Sequence, residues 1–390
     1  MPPVLAAEPS IRTSGRQTGE KKVVKRWLWY AFVASALVAP MILSEYIRAH
    51  RSNRPKLAFI ANCAADFWTI ARCGTKEAAR KLGVDVEFYM PALGTAAEQH
   101  RIVEDLVAKG VKGIAISPDD AANQTRVLNK IIPDSVYFIT QDSDLSKGSK
   151  RICYLGTDNI KAGWAVGQLV REALPMGGRI MIYVGKMDVS NARERRQGVI
   201  AALSGIPEDE AKGPLSEEIS RRPEPIEMGQ YAVVGTRTDN MDKEKCYANV
   251  VDTLVKYPDV NCLVGLWCYN PPAMLGGVRR ENKLGRVKLI GFDEDEVTLQ
   301  GIADGAIHGT VVQNPYMFGY EAMHILQHLV INRGRLPEAM PEAVATVESA
   351  NGKMFYVNRR VIKKRNDGGL FDLDVKTFAD DLHKKKGQTL

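Results

Sequence analysis

The 390-residue sequence lacks the signatures of the commonest catalytic sites. It has no Gly-x-x-x-x-Gly-Lys phosphate loop, no Gly-x-Ser-x-Gly elbow and no His-Glu-x-x-His pair, and its six histidines form no cluster. These absences argue against the phosphate-loop NTPases, the elbow-type hydrolases and the zinc peptidases. The chain is therefore read as a non-enzyme that needs no metal and no cofactor, and His308, at the start of a predicted strand, is read as structural. The six cysteines (63, 73, 153, 246, 262 and 268) include no Cys-x-x-Cys and no metal-type spacing. Most fall on predicted strands or helices, where a free buried thiol is the expected state. Cys63 with Cys73, or Cys262 with Cys268, are the pairs that a bridge would join.

The folded portion also lacks net charge. The formal charge of +7 belongs to residues 1–56, which hold ten Lys/Arg against three Asp/Glu, and residues 57–390 carry 43 of each sign. A neutral body offers no phosphate-binding surface, so no nucleic-acid partner is expected. A repressor would need an N-terminal helix-turn-helix, and residues 1–56 hold an apolar segment instead.

That segment runs from Trp27 to Leu43, seventeen residues without a charge, after Lys21, Lys22, Lys25 and Arg26. It is just long enough to span a bilayer, with aromatics at its leading edge where headgroups lie. Ala34-Ser35-Ala36 has the small residues of a cleavage site but lies inside the apolar run. No cysteine precedes Cys63, which argues against a lipoprotein anchor. The expectation is a basic segment 1–26, then a transmembrane or signal helix 27–43. The folded part then lies in the periplasm or cell envelope, either anchored in the inner membrane by an uncleaved helix or released after cleavage.

From Lys56 onward, β-branched runs alternate with amphipathic patterns. Strands are predicted at 57–61, 84–89, 113–117, 136–140, 152–155, 179–184, 231–235, 261–266, 287–292 and 308–313. Nine helical patterns lie between or after them, the last at 316–332. Gly83 and Gly110 stop two helices, and Asp158 and Asp239 are candidate caps. Such alternation predicts an α/β fold with parallel sheets and helices on both faces. Ten strands exceed one small sheet, so two doubly wound Rossmann-like lobes are expected. Residues 206–230 read as a solvated loop and 334–350 as a Pro-containing connection. Met354–Val357 reads as one more strand, and 373–390 as a polar tail.

Polar residues gather where these strands end, the edge at which open parallel sheets bind ligands. Asn62, Asp66, Phe67 and Trp68 follow the first strand, Ser117 the third and Asp142 the fourth. Further along come Thr157-Asp158-Asn159, then Ala192-Arg193-Glu194-Arg195 with Gly198, then Asn270-Pro271. The most informative stretch is Gly291-Phe292-Asp293 followed by Gln313-Asn314-Pro315. It delivers an aromatic ring, a carboxylate and a carboxamide to one edge, the chemistry that suits a polyhydroxylated ring.

In this order and spacing, residues 56–372 resemble the type I periplasmic solute-binding proteins, the ribose/galactose-type sugar receptors of ABC importers. The resemblance implies two lobes joined by a three-crossing hinge (periplasmic binding protein-like I), with crossings near Thr157, Gln313 and 345–353. One lobe would be 56–157 plus 314–345 and the other 158–313 plus 346–372, with a sugar or polyol held between them. Phe67, Trp68 and Phe292 would sandwich the ring, and Asp142 and Asp293 would accept from hydroxyls. Arg195, rather than Arg193 or Arg196, would donate a forked pair. Asn270 and Gln313 would give mixed contacts, with Asn62, Asp66, Ser117 and Thr157 in support. Departures from the family pattern are Ser143, where the ribose-type pocket has arginine, Pro271 after Asn270, and a shorter loop at Asp66. Losing an arginine favours a neutral or partly cationic ligand over an anionic one. The implied partner is an ABC permease, with a sensor kinase as the alternative, and a monomer is expected.

Overall fold

The computed structural model describes residues 38–41, 54–341, 344–349 and 352–364. Apart from Val38–Met41, which are helical, the apolar segment 27–43 lies outside the described residues, as does the tail 373–390. Among the described residues no helix is long and apolar enough to cross a membrane.

The first lobe opens with β1 (Lys56–Ile60), α1 (Asp66–Leu82), β2 (Asp85–Tyr89), α2 (Ala96–Ala108), β3 (Gly113–Ile116), α3 (Ala121–Ile131), β4 (Tyr137–Gln141) and β5 (Cys153–Gly156). The chain then enters the second lobe through α4 (Asn159–Ala173), β6 (Gly178–Val184), α5 (Ser190–Leu203), α6 (Pro214–Ser220), β7 (Ile226–Met228) and β8 (Tyr231–Thr238). It continues with α7 (Lys243–Lys256), β9 (Cys262–Gly265), α8 (Asn270–Arg280), β10 (Lys288–Phe292), α9 (Glu296–Ala303) and β11 (Gly309–Val312). Next, α10 (Pro315–Ile331) returns to pack on α1 and the first sheet, followed by β12 (Val344–Ser349), β13 (Gly352–Val357) and β14 (Arg360–Lys363).

Two seven-stranded sheets result, ordered β12-β13-β5-β4-β3-β1-β2 and β14-β11-β10-β9-β6-β8-β7. All neighbours are parallel except β12 with β13, β7 with β8 and β14 with β11, which lie at the edges. The central parallel strands are buried on both faces, which explains near-continuous apolar runs such as Ile180–Val184. Apolar clusters cover both faces of each sheet, and α1 shows the pattern that builds them. Its buried Trp68, Ala71, Thr75 and Ala78 recur at helical spacing, and Gly83 ends it in the left-handed region at φ 64°.

The structure corrects four local readings. Residues 206–230 are not a plain loop: they contain a 3-10 turn at Glu208–Glu210, α6 and β7, which pairs back onto β8. Part of the 334–350 connection is the edge strand β12. Asp239 does not cap α7; Asp242 does, accepting from the backbone N–H groups of Glu244 and Lys245. The third crossing lies between Val357 and Arg360, not within 345–353, because β12 and β13 belong to the first sheet. Phe355 and Val357 bury in the first-lobe core, and Met354–Tyr356 pair with Tyr154–Gly156, so β13 stays with that sheet.

One helix crossing fixes the position of α5. An added Cβ on Gly163 would lie 2.0 Å from the Arg195 carbonyl oxygen, and one on Gly198 would lie 2.0 Å from that of Ile160. The backbones of α4 and α5 therefore touch, and only glycine fits on either side. Gly198→Ala, which would be mildly stabilising in an exposed helix, should here cost about 1–3 kcal/mol. The urea midpoint should fall accordingly; an unchanged or higher midpoint would contradict this contact.

Candidate functional site

The C-terminal ends of both sets of parallel strands face one cavity between the lobes, at the edge where open parallel sheets bind ligands. Asn62, Cys63, Ala65, Phe67, Trp68 and Asp142 line it from the first lobe. Asn191, Arg195, Trp267, Cys268, Tyr269, Asp293 and Gln313 line it from the second lobe and its last strand end.

The two aspartates occupy equivalent places. Asp142 follows β4 and Asp293 follows β10, each next to the strand by which the chain leaves its sheet. Both take left-handed backbone angles, φ 59° and 64°, which a short acidic side chain tolerates better than a branched one. Their backbone N–H groups make the same bond to the neighbouring strand, to Leu155 O at 3.0 Å and Val311 O at 2.7 Å. This turn aims each carboxylate across the strand ends.

The surroundings differ. Asp142 Oδ2 accepts from Ser117 Oγ at 2.8 Å and from Asn191 Nδ2 at 3.2 Å, while Oδ1 stands 3.8 Å from Arg195 Nη2. Asp293 Oδ1 accepts from Gln313 Nε2 at 2.9 Å, and among the described residues no cation stands within salt-bridge distance of it. Burial pushes the Asp293 carboxyl up to about 6, opposed chiefly by the positive field of Arg195. Asp142 is also raised by burial, against Arg195 and its two hydrogen bonds.

Arg195 is held from behind. Its Nε donates to Asn159 Oδ1 and its Nη1 to Leu266 O, both at 2.9 Å, and its guanidinium lies 3.9 Å from the centre of the Phe292 ring. Nη2 makes no hydrogen bond. Arg193 is exposed and donates to Met187 O, while Arg196 turns away to Thr236, Ser220 O and Glu224. Of the three neighbouring arginines, Arg195 alone lines the cavity.

Seven of the sequence-derived candidates line the cavity: Asn62, Phe67, Trp68, Asp142, Arg195, Asp293 and Gln313. Five stand behind or outside it. Asp66 is exposed at the start of α1. Ser117 holds Asp142, and Thr157 is buried at the lobe crossing, where its carbonyl accepts from Tyr154 OH at 3.1 Å. Asn270 closes its own loop: its Oδ1 accepts from Trp267 N at 2.9 Å and its Nδ2 donates to Asp239 Oδ2 at 3.3 Å. Phe292, wholly buried, is a platform under Arg195 and not a wall of the cavity, because β10 directs it into the second-lobe core.

The candidate set omitted Cys63, Ala65, Asn191, Trp267, Cys268 and Tyr269. The polar loops 190–198 and 268–271 carried a signal for three of these. Asn159, which orients Arg195 and donates to Tyr154 OH at 3.3 Å, was visible within Thr157-Asp158-Asn159 but had no role assigned. Burial pushes the Cys63 thiol up to about 12 and raises Cys268 well above its ordinary value, so both are neutral. All six described cysteines are free.

The lobes touch across the cleft. Asp144 N donates to Ser190 Oγ at 2.8 Å, Ser143 Oγ lies 3.0 Å from the same oxygen, and Lys186 Nζ donates to Gly94 O at 2.8 Å. An aspartate whose carboxyl is raised on folding binds protons more tightly in the folded state than in the unfolded one. Its stabilising contribution is then present at acid pH and lost as pH rises from about 4 through about 6. Asp293→Asn should therefore stabilise the ligand-free protein at pH 7 by on the order of 1–3 kcal/mol, with the gain shrinking toward pH 4. Denaturation at the two pH values checks this, and a variant equally or less stable at pH 7 would contradict it.

A family model described as a periplasmic binding protein domain matches residues 57–334. The D-allose-binding periplasmic protein of Escherichia coli (strain K12) is 23% identical over 271 residues, covering 67% of this chain and 79% of that protein. A ribose import binding protein of Salmonella typhimurium is 21% identical over 297 residues, covering 75% and 90%. Among solved structures, an ABC transporter solute-binding protein from Burkholderia graminis, in complex with D-arabinose, is 24% identical with a TM-score of 0.67. That match covers 82% of this chain and 98% of the other. Two doubly wound sheets that face a shared cleft, together with a family match across most of the chain, lead to one conclusion: this chain belongs to the periplasmic binding protein domain family.

Proposed function

We propose that this protein captures a sugar or sugar-like polyol in the interlobe cleft, outside the cytoplasm, and delivers it to an ABC transporter permease. One observation carries the reading. Four residues lining the cavity hold buried polar atoms without a partner: Arg195 Nη2 and Trp267 Nε1 as donors, Asn191 Oδ1 and Gln313 Oε1 as acceptors. Buried polar atoms are normally paired. A ligand presenting several hydroxyls, each both donor and acceptor, would match this mixed set. The carboxylates would accept from hydroxyls, and the aromatic residues would cover the C–H surface. The names of the relatives, one an import protein and the others bound to or named for sugars, support the same class.

A second reading, a membrane-tethered receptor reporting to a sensor kinase, is favoured by the uncharged run 27–43. In the tethered case, carbonate washing of membranes should leave the full-length protein in the pellet. A cleaved protein would appear in the soluble periplasmic fraction at lower mass. Recovery of the complete chain from cytosol would refute export altogether.

Capture itself is tested by thermal shift and titration calorimetry on the full-length protein with pentoses, hexoses and inositols. A ligand at a hundredfold its dissociation constant adds about 2.7 kcal/mol of stability. Arg195→Lys should weaken that ligand by about 1.5–3 kcal/mol, because it removes the Nη2 donor and the two bonds that orient the guanidinium. Arg193→Lys should have little effect. Full affinity in Arg195→Lys, or its loss in Arg193→Lys, would remove the basis for this site.

A further inference from the structure

Resting on the reading of this cleft as a polyol site, we infer that its preferred ligand carries a protonated amine: an amino sugar or an amino-cyclitol, with the ammonium placed against Asp293. The first ground is charge. The titratable side chains lining the cavity are Asp142, Asp293, Arg195, Cys63, Cys268 and Tyr269. The two thiols and the phenol are neutral, since burial raises all three, and the phenol donates to Asp239. Two carboxylates therefore face one guanidinium, leaving one negative charge in excess.

The second ground is position. The guanidinium stands nearer Asp142, with Nη2 at 3.8 Å from Oδ1, and its remaining nitrogens are tied to Asn159 and Leu266. Asp293 has only the neutral carboxamide of Gln313 in hydrogen-bond contact through its side chain. The basic side chains around the cleft are engaged elsewhere: Lys186 donates to Gly94 O, Arg193 to Met187 O, and Lys212 pairs with Asp158 at 2.8 Å. Further acid groups lie nearby. Asp119 adds little, because burial pushes its carboxyl up to about 7 and Lys186 acts against it. Glu294 and Asp295 add to the negative charge acting on Cys268.

A buried carboxylate without a matched cation is costly, and a ligand cation can compensate it. A hydroxyl can give Asp293 a hydrogen bond but no countercharge; an ammonium gives both. The Trp267, Tyr269, Trp68 and Phe67 side chains supply further surface that favours a cation over a neutral group. The raised Asp293 carboxyl agrees with this, because its desolvation is only partly offset in the ligand-free protein.

The test is a calorimetric titration of the full-length protein at pH 7.5 with matched pairs that differ by one amine. These are D-glucose with D-glucosamine, D-galactose with D-galactosamine, and an inositol with its monoamino-deoxy analogue, plus the N-acetylated amino sugars. The expected result is an amino member binding more tightly than its hydroxyl counterpart by about tenfold or more, with N-acetylation removing the gain. In Asp293→Asn the ratio of amine to hydroxyl affinity should fall toward one, with both members bound more weakly than by the unaltered protein. If the neutral members bind equally or more tightly, the amine inference is overturned and the polyol reading stands. If no member of any pair binds, both are overturned.

Discussion

Two aspartates and one arginine are taken out of water where the edges of two sheets meet, and this desolvation constrains everything around the cleft. Asp142 and Asp293 are 3% and 4% exposed and Arg195 is 2%, so none can rely on solvent. Charges moved to such a place are retained only when other groups hold them. Ser117, Asn191, Asn159, Gln313 and the Leu266 carbonyl are those groups, and each sits at the end of a strand or in the first turn of a helix. Phe292 adds a polarisable face beneath the guanidinium. The glycine contacts between α4 and α5 serve the same end, because they set the height at which Arg195 leaves its helix.

The second lobe repeats the first in its central strands. Reading β2-β1-β3-β4-β5 against β8-β6-β9-β10-β11 gives the same order, and Asp142 and Asp293 fall at the same step. The symmetry is of backbone, not of charge. One aspartate faces an arginine from the opposite lobe and the other faces an amide from its own neighbouring strand end. A site built from two similar halves thus has unlike ends, which gives a ligand a direction in the cleft.

Strand alternation and loop polarity were legible in the sequence because parallel strands bury both faces and read as unbroken apolar runs, while the ligand edge collects polar residues. Asp142, Arg195, Asp293 and Gln313 could be found that way. What could not be found is which way a side chain turns once its loop is placed. Asn270 and Phe292 stand at the right strand ends, yet one ties Trp267 and Asp239 together and the other enters the core beneath Arg195. Both orientations depend on contacts from far along the chain. Trp267, at a predicted strand end facing the cleft, and Tyr269, in the polar loop 268–271, are legible by position but not by role. The β12–β13 hairpin was assigned to the wrong lobe because its short apolar pattern fits either core, and only pairing with β5 decides.

The closed arrangement also bears on how the cleft works. The hydrogen bond from Asp144 N to Ser190 Oγ, the Ser143–Ser190 hydroxyl contact and the bond from Lys186 to Gly94 O join the lobes. In the interior, polar atoms of Arg195, Asn191, Gln313 and Trp267 accept or donate no hydrogen bond within the protein. Leaving buried polar groups unpaired costs about 1–3 kcal/mol each, more than a few rim hydrogen bonds at about 1 kcal/mol each return. On the proposed reading, a ligand or water has to satisfy these atoms when the lobes meet. A ligand that pairs them removes the penalty only when both lobes surround it. On the proposed reading, differential affinity for the closed form would follow from these unmatched atoms. Each of the three chain crossings is short: Thr157-Asp158, Gln313-Asn314 and Asn358-Arg359 are the residues between one sheet or its helix and the next. Hinge bending concentrated in a few residues leaves the packed cores on either side undisturbed.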